Sequence, residues 1–420
     1  MKPVLRTWIL AIIAVARTSA AHGATIDLRS AIQLAEKNNP SVGIASADVV
    51  ESGYGVDLAR SRFYPNLRFG TSLATSRASS AVFSLTQMLY DGGASLAELD
   101  VAKIQSKSSL NDLEISKEMI RLRTAEAYYN ALYTRARLGY YQNLAKSLTE
   151  LLDKSRLANK LKHMGSDSLV RVELGTDEAS SLMIQNSSQL ERDMNALSLL
   201  TGQANLSAQD LSEPFAVKSM ERIDAKKIKQ QVLAHSYTLR GLQLAQETLD
   251  AKRQVELAAY KPTITVSANA GFSGRNSDDL LYVNQFETTR FAAGGAISLT
   301  LPLFSGFSGI ATRNIHIEEE KKLALKRKLT YENIVVEIEN NLIALEKIQE
   351  RMGTLDAHLL KGRSVYESRK EAMKAGVLPV DYWLLVLRDL DRLELEKMRQ
   401  VYDYLAVSAA VKILAGTDKK

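Results

Sequence analysis

The residues of this 420-residue chain with the strongest claim to chemistry are five histidines and two adjacent-glycine pairs; there is no cysteine. His22, His163, His235, His316 and His358 are scattered, with no pair at the i, i+4 spacing that places two ligands on one helix face. Gly92-Gly93 and Gly294-Gly295 lack the following Lys-Ser/Thr of a phosphate loop and read as strand-end turns. No Ser/His/Asp set assembles from motifs, and the absence of thiols excludes disulfides and thiolate metal sites. The reading is therefore of a non-enzyme with no cofactor and no metal. Asp381 stands apart. It opens a helix after a glycine-containing break, where a carboxylate complements the helix dipole.

The elements that must position such residues are mostly helical, with one exception that recurs. Phe63 to Gly93 holds two runs of about ten residues, the length that crosses a bilayer as a tilted strand. In the first, Leu67, Phe69, Thr71 and Leu73 alternate with Asn66, Arg68, Gly70 and Ser72. That is the period of two of a strand between unlike surroundings. The strand pairs are expected over 66–90 and 263–304. Phe83, Leu85 and Leu89 in the first pair, and Ile297, Leu299, Leu301 and Leu303 in the second, are the expected lipid-facing residues; Gln87 interrupts their face. Residues 1–23 read as a signal peptide: Lys2 and Arg6, an apolar run, then small residues. No later run is apolar enough for a membrane-spanning helix, so any crossing falls to strands.

The rest is long helix, and it is duplicated. Asp224 and Pro262 follow Asp27 and Pro65 by 197 residues, whereas Gly306 and Gly416 follow Gly92 and Gly202 by 214. The second copy has thus gained 17 residues between its strands, near Ser273 to Arg290, a polar connection expected on the outer side. The chain divides into repeats at 24–210 and 211–420. Long helices are expected from about Ala94 to Lys162 and from about Gly309 to Lys374. Each is a rod of about 100 Å that ends at a break, Met164 to Ser168 and Ala375 to Pro379. Gly165 and Gly376 are the expected left-handed residues there.

Four strands cannot close a barrel, and open edges in lipid cost several kcal/mol per unpaired group. The strands must close with other copies; three chains would give twelve strands, within the range of outer-membrane barrels. The net charge of +6 is small and interleaved, which argues against nucleic acid as partner. A periplasmic adaptor, with one hairpin beside compact β domains, and an envelope-spanning coiled coil, with continuous heptads and no strand pairs, are the competing readings.

These residues resemble the TolC-like outer-membrane factor family. The resemblance lies in Ile26-Asp27-Leu28 through Asn38-Asn39-Pro40, Tyr64-Pro65-Asn66-Leu67, Ser84-Leu85-Thr86-Gln87-Met88-Leu89-Tyr90-Asp91-Gly92-Gly93 and Ala127-Tyr128-Tyr129-Asn130-Ala131-Leu132. The helix endings at 199–202 and 414–416 extend it over the whole mature chain. It implies a mainly α, internally duplicated protein whose long hairpins form a trimeric α-barrel continued by a twelve-stranded transmembrane β-barrel. It further implies an outer-membrane exit duct for a tripartite efflux pump or a type I secretion system, extending into the periplasm. The implied partners are a periplasmic adaptor (membrane fusion) protein, an inner-membrane transporter and outer-membrane lipid. By the same resemblance, Met164, Gly165, Ser166, Asp167 and Ser168, with Gly376, Val377, Leu378 and Pro379, are adaptor-docking turns. Asp381 lies at the periplasmic aperture, one residue nearer its glycine than the family's usual pattern. Without a cysteine after the leader, the chain resembles the family's non-lipidated branch.

Overall fold

A computed structural model describes residues 25–72, 79–204, 206–213, 224–274 and 290–417. The expected signal peptide and the connections 73–78 and 275–289 lie outside the described residues.

Helix α1 (Leu28–Asn38) begins where the Asp27 carboxylate accepts the Ser30 N–H at 2.8 Å. The Ser30 side chain and then its N–H, both bonding to the carboxylate, hold the Asp27 carboxyl below its usual range. The Asn38-Asn39-Pro40 signature has three separate uses. Asn39 caps α2 (Pro40–Ser61) by accepting the Ser41 N–H at 2.9 Å, and Pro40 fills the first helical position, where no N–H is needed. The two side-chain amides then donate to Thr201 O (2.9 Å) and Leu200 O (3.3 Å), the last carbonyls of α4 (Ser166–Thr201). A helix end that would otherwise leave carbonyls orphaned is satisfied 160 residues away in sequence by its neighbour's cap.

Strands β1 (Asn66–Ser72), β2 (Ser79–Asp91), β3 (Thr263–Gly274) and β4 (Arg290–Thr300) form one antiparallel sheet in the order β1-β2-β3-β4. After β2, Gly92 (φ 70°) and Gly93 (φ 92°) turn the chain through the left-handed region. Asp91 then caps α3 (Ala94–Lys160), accepting the N–H groups of Gly93 at 3.1 Å and Ser95 at 2.7 Å. Gly294-Gly295 behaves differently from expectation: the pair sits inside β4, opposite Asn269 and Ala268, and is no turn.

The second half runs α5 (Ala225–His235), α6 (Tyr237–Ala258), β3, β4, α7 (Ser308–Lys374) and α8 (Val380–Leu414), matching the helix lengths of the first almost residue for residue. The first and second long helices, α3 and α7, each have 67 residues, about 100 Å. They pack against α4 and α8 in two long hairpins, joined to each other where α3 meets α8 and α4 meets α8. The core is a chain of small clusters strung along these seams. One (Ala31, Tyr128, Ala131, Leu132, Met194, Leu197, Leu211) lies where residues 210–212 pair with Ile26. Another (Leu148, Leu152, Val172, Val380, Trp383, Leu387) lies near the hairpin ends. Much apolar surface remains outside them: Leu325, Leu329 and Val336 of α7 are all more than half exposed. Among the described residues no helix is long and apolar enough to cross a membrane.

Candidate functional site: a two-faced sheet and two hairpin ends

The register of the sheet separates its side chains into two unlike faces, because residues directly opposite in antiparallel strands share a face. One carries Leu67 and Phe69, Phe83 and Leu85, Val266, Ala268, Ala270 and Phe272, and Phe291, Ala293, Ile297 and Leu299. Phe69 stacks on Phe83 at 4.8 Å and Phe272 on Phe291 at 5.4 Å. The other face carries Arg68, Ser84, Thr86, Thr265, Ser267, Asn269, Ser298 and Thr300.

Four of the seven expected lipid-facing residues, Phe83, Leu85, Ile297 and Leu299, stand on the apolar face in β2 and β4. Three do not hold a strand position there. Leu89 falls in a β-bulge between Met88 and Tyr90, so Tyr90 takes the next place, opposite Ile264. Leu301 and Leu303 follow the end of β4, where Pro302 has no N–H to give to a ladder. The interruption at Gln87 resolves itself: its amide donates to Phe63 O (3.2 Å) and Met88 O (2.9 Å) at the foot of the strand. Beyond that foot, Phe63, Tyr64, Tyr90, Tyr260, Phe304 and Phe307 are exposed aromatics at the helix–sheet junction. That is the composition of an interfacial girdle, a collar the sequence reading passed over.

At the other end of the rods the two hairpin turns have one backbone. Leu161 and Ala375 end the long helices, Lys162 (φ 61°) and Gly376 (φ 73°) follow in the left-handed conformation, and Gly165 and Pro379 precede the next helices. His163 N–H donates to Ala158 O and Val377 N–H to Ala372 O, the same six-residue closure. The expectation that Gly165 is left-handed is thus corrected: its φ is −69°, and Lys162 holds that place. Gly165 and Gly376 are not counterparts. The offset of 214 that relates Gly92 to Gly306 also relates Lys162 to Gly376, and therefore Asp167 to Asp381. Asp167, expected as a docking-turn residue, is by this offset the counterpart of Asp381.

Both aspartates lie in the first turn of a helix. Asp167 is exposed. Asp381 is drawn into the α4–α8 seam: Ser168 Oγ donates to its Oδ2 at 3.4 Å, and Arg171 Nε lies 3.8 Å from that oxygen. Its Oδ1 is buried without a hydrogen-bond partner. The structure thus brings Ser168 and Asp381 together across two hairpins. Among the docking-turn residues, Val377 is 79% exposed, whereas Met164 packs half-buried on the cluster around Trp383. Of the histidines, His316 is a seam residue between α6 and α7, buried against Glu256 with Glu319 at 3.5 Å.

Residues 31–203 match the family profile described as outer membrane efflux protein. The match covers the first part of the chain. No curated protein sequence matches it. Its fold is shared with solved structures at low identity. One is a membrane protein from Pseudomonas aeruginosa, 15% identical, covering 93% of each chain, TM-score 0.77. Another is the CmeC outer membrane channel of Campylobacter jejuni, 16% identical, covering 93% of this chain and 86% of that one, TM-score 0.76. A third is CusC, 14% identical, covering 96% and 95%, TM-score 0.75.

Proposed function

We propose that this chain is an outer membrane efflux protein, and that three copies of it close a twelve-stranded barrel continued by an α-helical duct, the exit path of a tripartite efflux pump or a type I secretion system. The observation that carries the reading is the sheet: four up-and-down strands, apolar on one face and polar on the other, with both edges unpaired among the described residues. In lipid, β1 and β4 must find partners. Because β1 and β4 run in opposite directions, β4 of one copy can pair antiparallel with β1 of the next, and the up-and-down order continues around a ring. Exposed Leu325, Leu329 and Val336 on α7 give the helices the same need for neighbours.

In this reading residues 24–210 and 211–420 are two structural repeats behind a leader of residues 1–23. The turns Met164–Ser168 and Gly376–Pro379 dock a periplasmic adaptor, which links the duct to an inner-membrane transporter. Asp381, joined by Asp167, lines the periplasmic aperture. Exposed turns at the ends of rigid rods are where partners bind, and they are the surface farthest from the membrane here.

The test uses the chain's lack of cysteine. Single cysteines placed at outer positions of β1 and β4 should form intermolecular disulfides that trap trimers in mild detergent. A stable monomer in detergent-free buffer would overturn the barrel.

A further inference from the structure

Resting on the reading that three copies close the barrel, we infer that Arg68 and Arg290 line its bore and make the outer segment of the duct favour anions. The bore is the polar face of the sheet, since the opposite face carries Phe69, Phe83, Phe272 and Phe291. Arg68 belongs to that polar face by register: it lies opposite Ser84, which lies opposite Asn269, which lies opposite Gly294. Arg290 belongs to it by the row Ser72, Ser80, Ser273, Arg290. The two rows are four residues apart, about 13 Å along the strands. Each row therefore sets one guanidinium among serine, asparagine and glycine positions, with no large residue opposite to cover it.

Among the described strand residues carboxylates do not offset them: the polar face holds one, Asp91, at the junction with the helices. Both its oxygens are taken up in capping α3, through the N–H groups of Gly93 and Ser95 and the Ser95 hydroxyl. Arg68 Nε is held by Asn66 Oδ1 at 2.9 Å, which fixes the guanidinium beside the strand without neutralising it. Three copies would place six guanidinium groups around a narrow bore walled by low-dielectric protein and lipid, the arrangement that focuses a field. At the far end of the same duct stand Asp167 and Asp381. The duct would carry fixed positive charge at its exit. The cargo this exit suits is anionic, carrying carboxylate, phosphate or sulfate groups.

The experiment is single-channel recording of the full-length trimer in neutral phosphatidylcholine bilayers under a KCl gradient. Wild type is compared with the Arg68→Gln/Arg290→Gln double variant and with Arg68→Lys/Arg290→Lys. Trimer assembly is checked on the same samples. The glutamine variant should lower the chloride-to-potassium permeability ratio about threefold or more near 0.1 M salt and by little at 1 M, where the screening length falls to about 3 Å. The lysine variant should stay with wild type. An assembled, conducting glutamine variant with an unchanged ratio would overturn the inference and leave the duct standing. A wild-type trimer that conducts nothing would remove the duct, and this inference with it.

Discussion

The two hairpin ends reach one backbone from different residues, and the difference separates what the turn requires from what each copy does with it. At the left-handed place the first hairpin has Lys162 and the second Gly376. Before the following helix they have Gly165 and Pro379. Neither glycine nor proline is therefore what makes the turn. The common features are the closing hydrogen bonds, His163 N–H to Ala158 O and Val377 N–H to Ala372 O, and the half-buried Met164 and Leu378 beneath them. Burial is where the copies diverge. Val380 and Trp383 are 3% and 6% exposed, whereas their counterparts in the offset of 214, Ser166 and Leu169, are exposed and half-buried. At these matched positions the second hairpin is the more deeply buried, although the first supplies more residues to the cluster that joins the two.

That asymmetry should show most strongly at Trp383. Trp383→Ala is expected to cost about 3–5 kcal/mol, because a large ring leaves a cavity between four helices. Leu169→Ala, at the matching position, should cost roughly half as much, since less of its side chain leaves water. Denaturant unfolding of the detergent-solubilised protein measures both. Equal losses would mean that the two matched positions carry equal weight in the cluster, contrary to their burial.

A smaller effect isolates the backbone. A Cβ at Gly376 would meet nothing within 4 Å, so Gly376→Val tests conformation with no clash. A branched residue held left-handed costs about 1–2 kcal/mol. At the matching place, Lys162→Gly should stabilise by about 0.5–1 kcal/mol, the relief of left-handed strain less the freedom glycine adds to the unfolded chain. A stabilising Gly376→Val would show that this turn can abandon its left-handed residue.

Much of this was legible in the chain, and the parts that were not have definite causes. The duplication, the strand pairs and the caps at Asp27 and Asn39 are signals in the chain itself: a spacing, a period of two, a side chain bonding two or three residues on. The hairpin register was legible too, since the offset of 214 fixes Lys162 against Gly376. It was obscured because glycine was taken as the marker of the turn, and here a lysine carries that conformation. The bulge at Leu89 could not be read from β2 alone. It arises from pairing with β3, a partner more than 170 residues on, and it moves Tyr90 into the apolar row. Partners across seams were likewise invisible, because no period in one helix says which residue of another it meets. Asp381 with Ser168, and Asp391 with Tyr140, are of this kind.

Asp391 gives the last and smallest test of the comparison. Its counterpart in α4 is Asp177, which is exposed. Asp391 instead lies in the α3–α8 seam, where it accepts a hydrogen bond from the Tyr140 hydroxyl. Burial pushes its carboxyl up to about 6, despite the Tyr140 bond that favours the charged form, with Glu394 adding repulsion. The tyrosine is pushed up as well, chiefly by burial, and stays protonated. The sign follows from linkage. Between the unfolded value near 3.9 and the folded value near 6 the folded state binds the proton more tightly, so stability falls as pH rises through this window. The contribution is fully present below about pH 4 and gone above pH 6. Asparagine in place of the aspartate keeps an acceptor for Tyr140 and cannot ionise. Asp391→Asn should therefore stabilise the assembled protein at pH 7.5 by roughly 1 kcal/mol, discounted for the solvent that still reaches the group, and by little at pH 4. Asp177→Asn should change neither. Unfolding midpoints measured across that range would show the variant's advantage growing with pH. An advantage that is the same at both ends of the range would mean that the Asp391 carboxyl titrates as it does in water, and that the seam between α3 and α8 is wet.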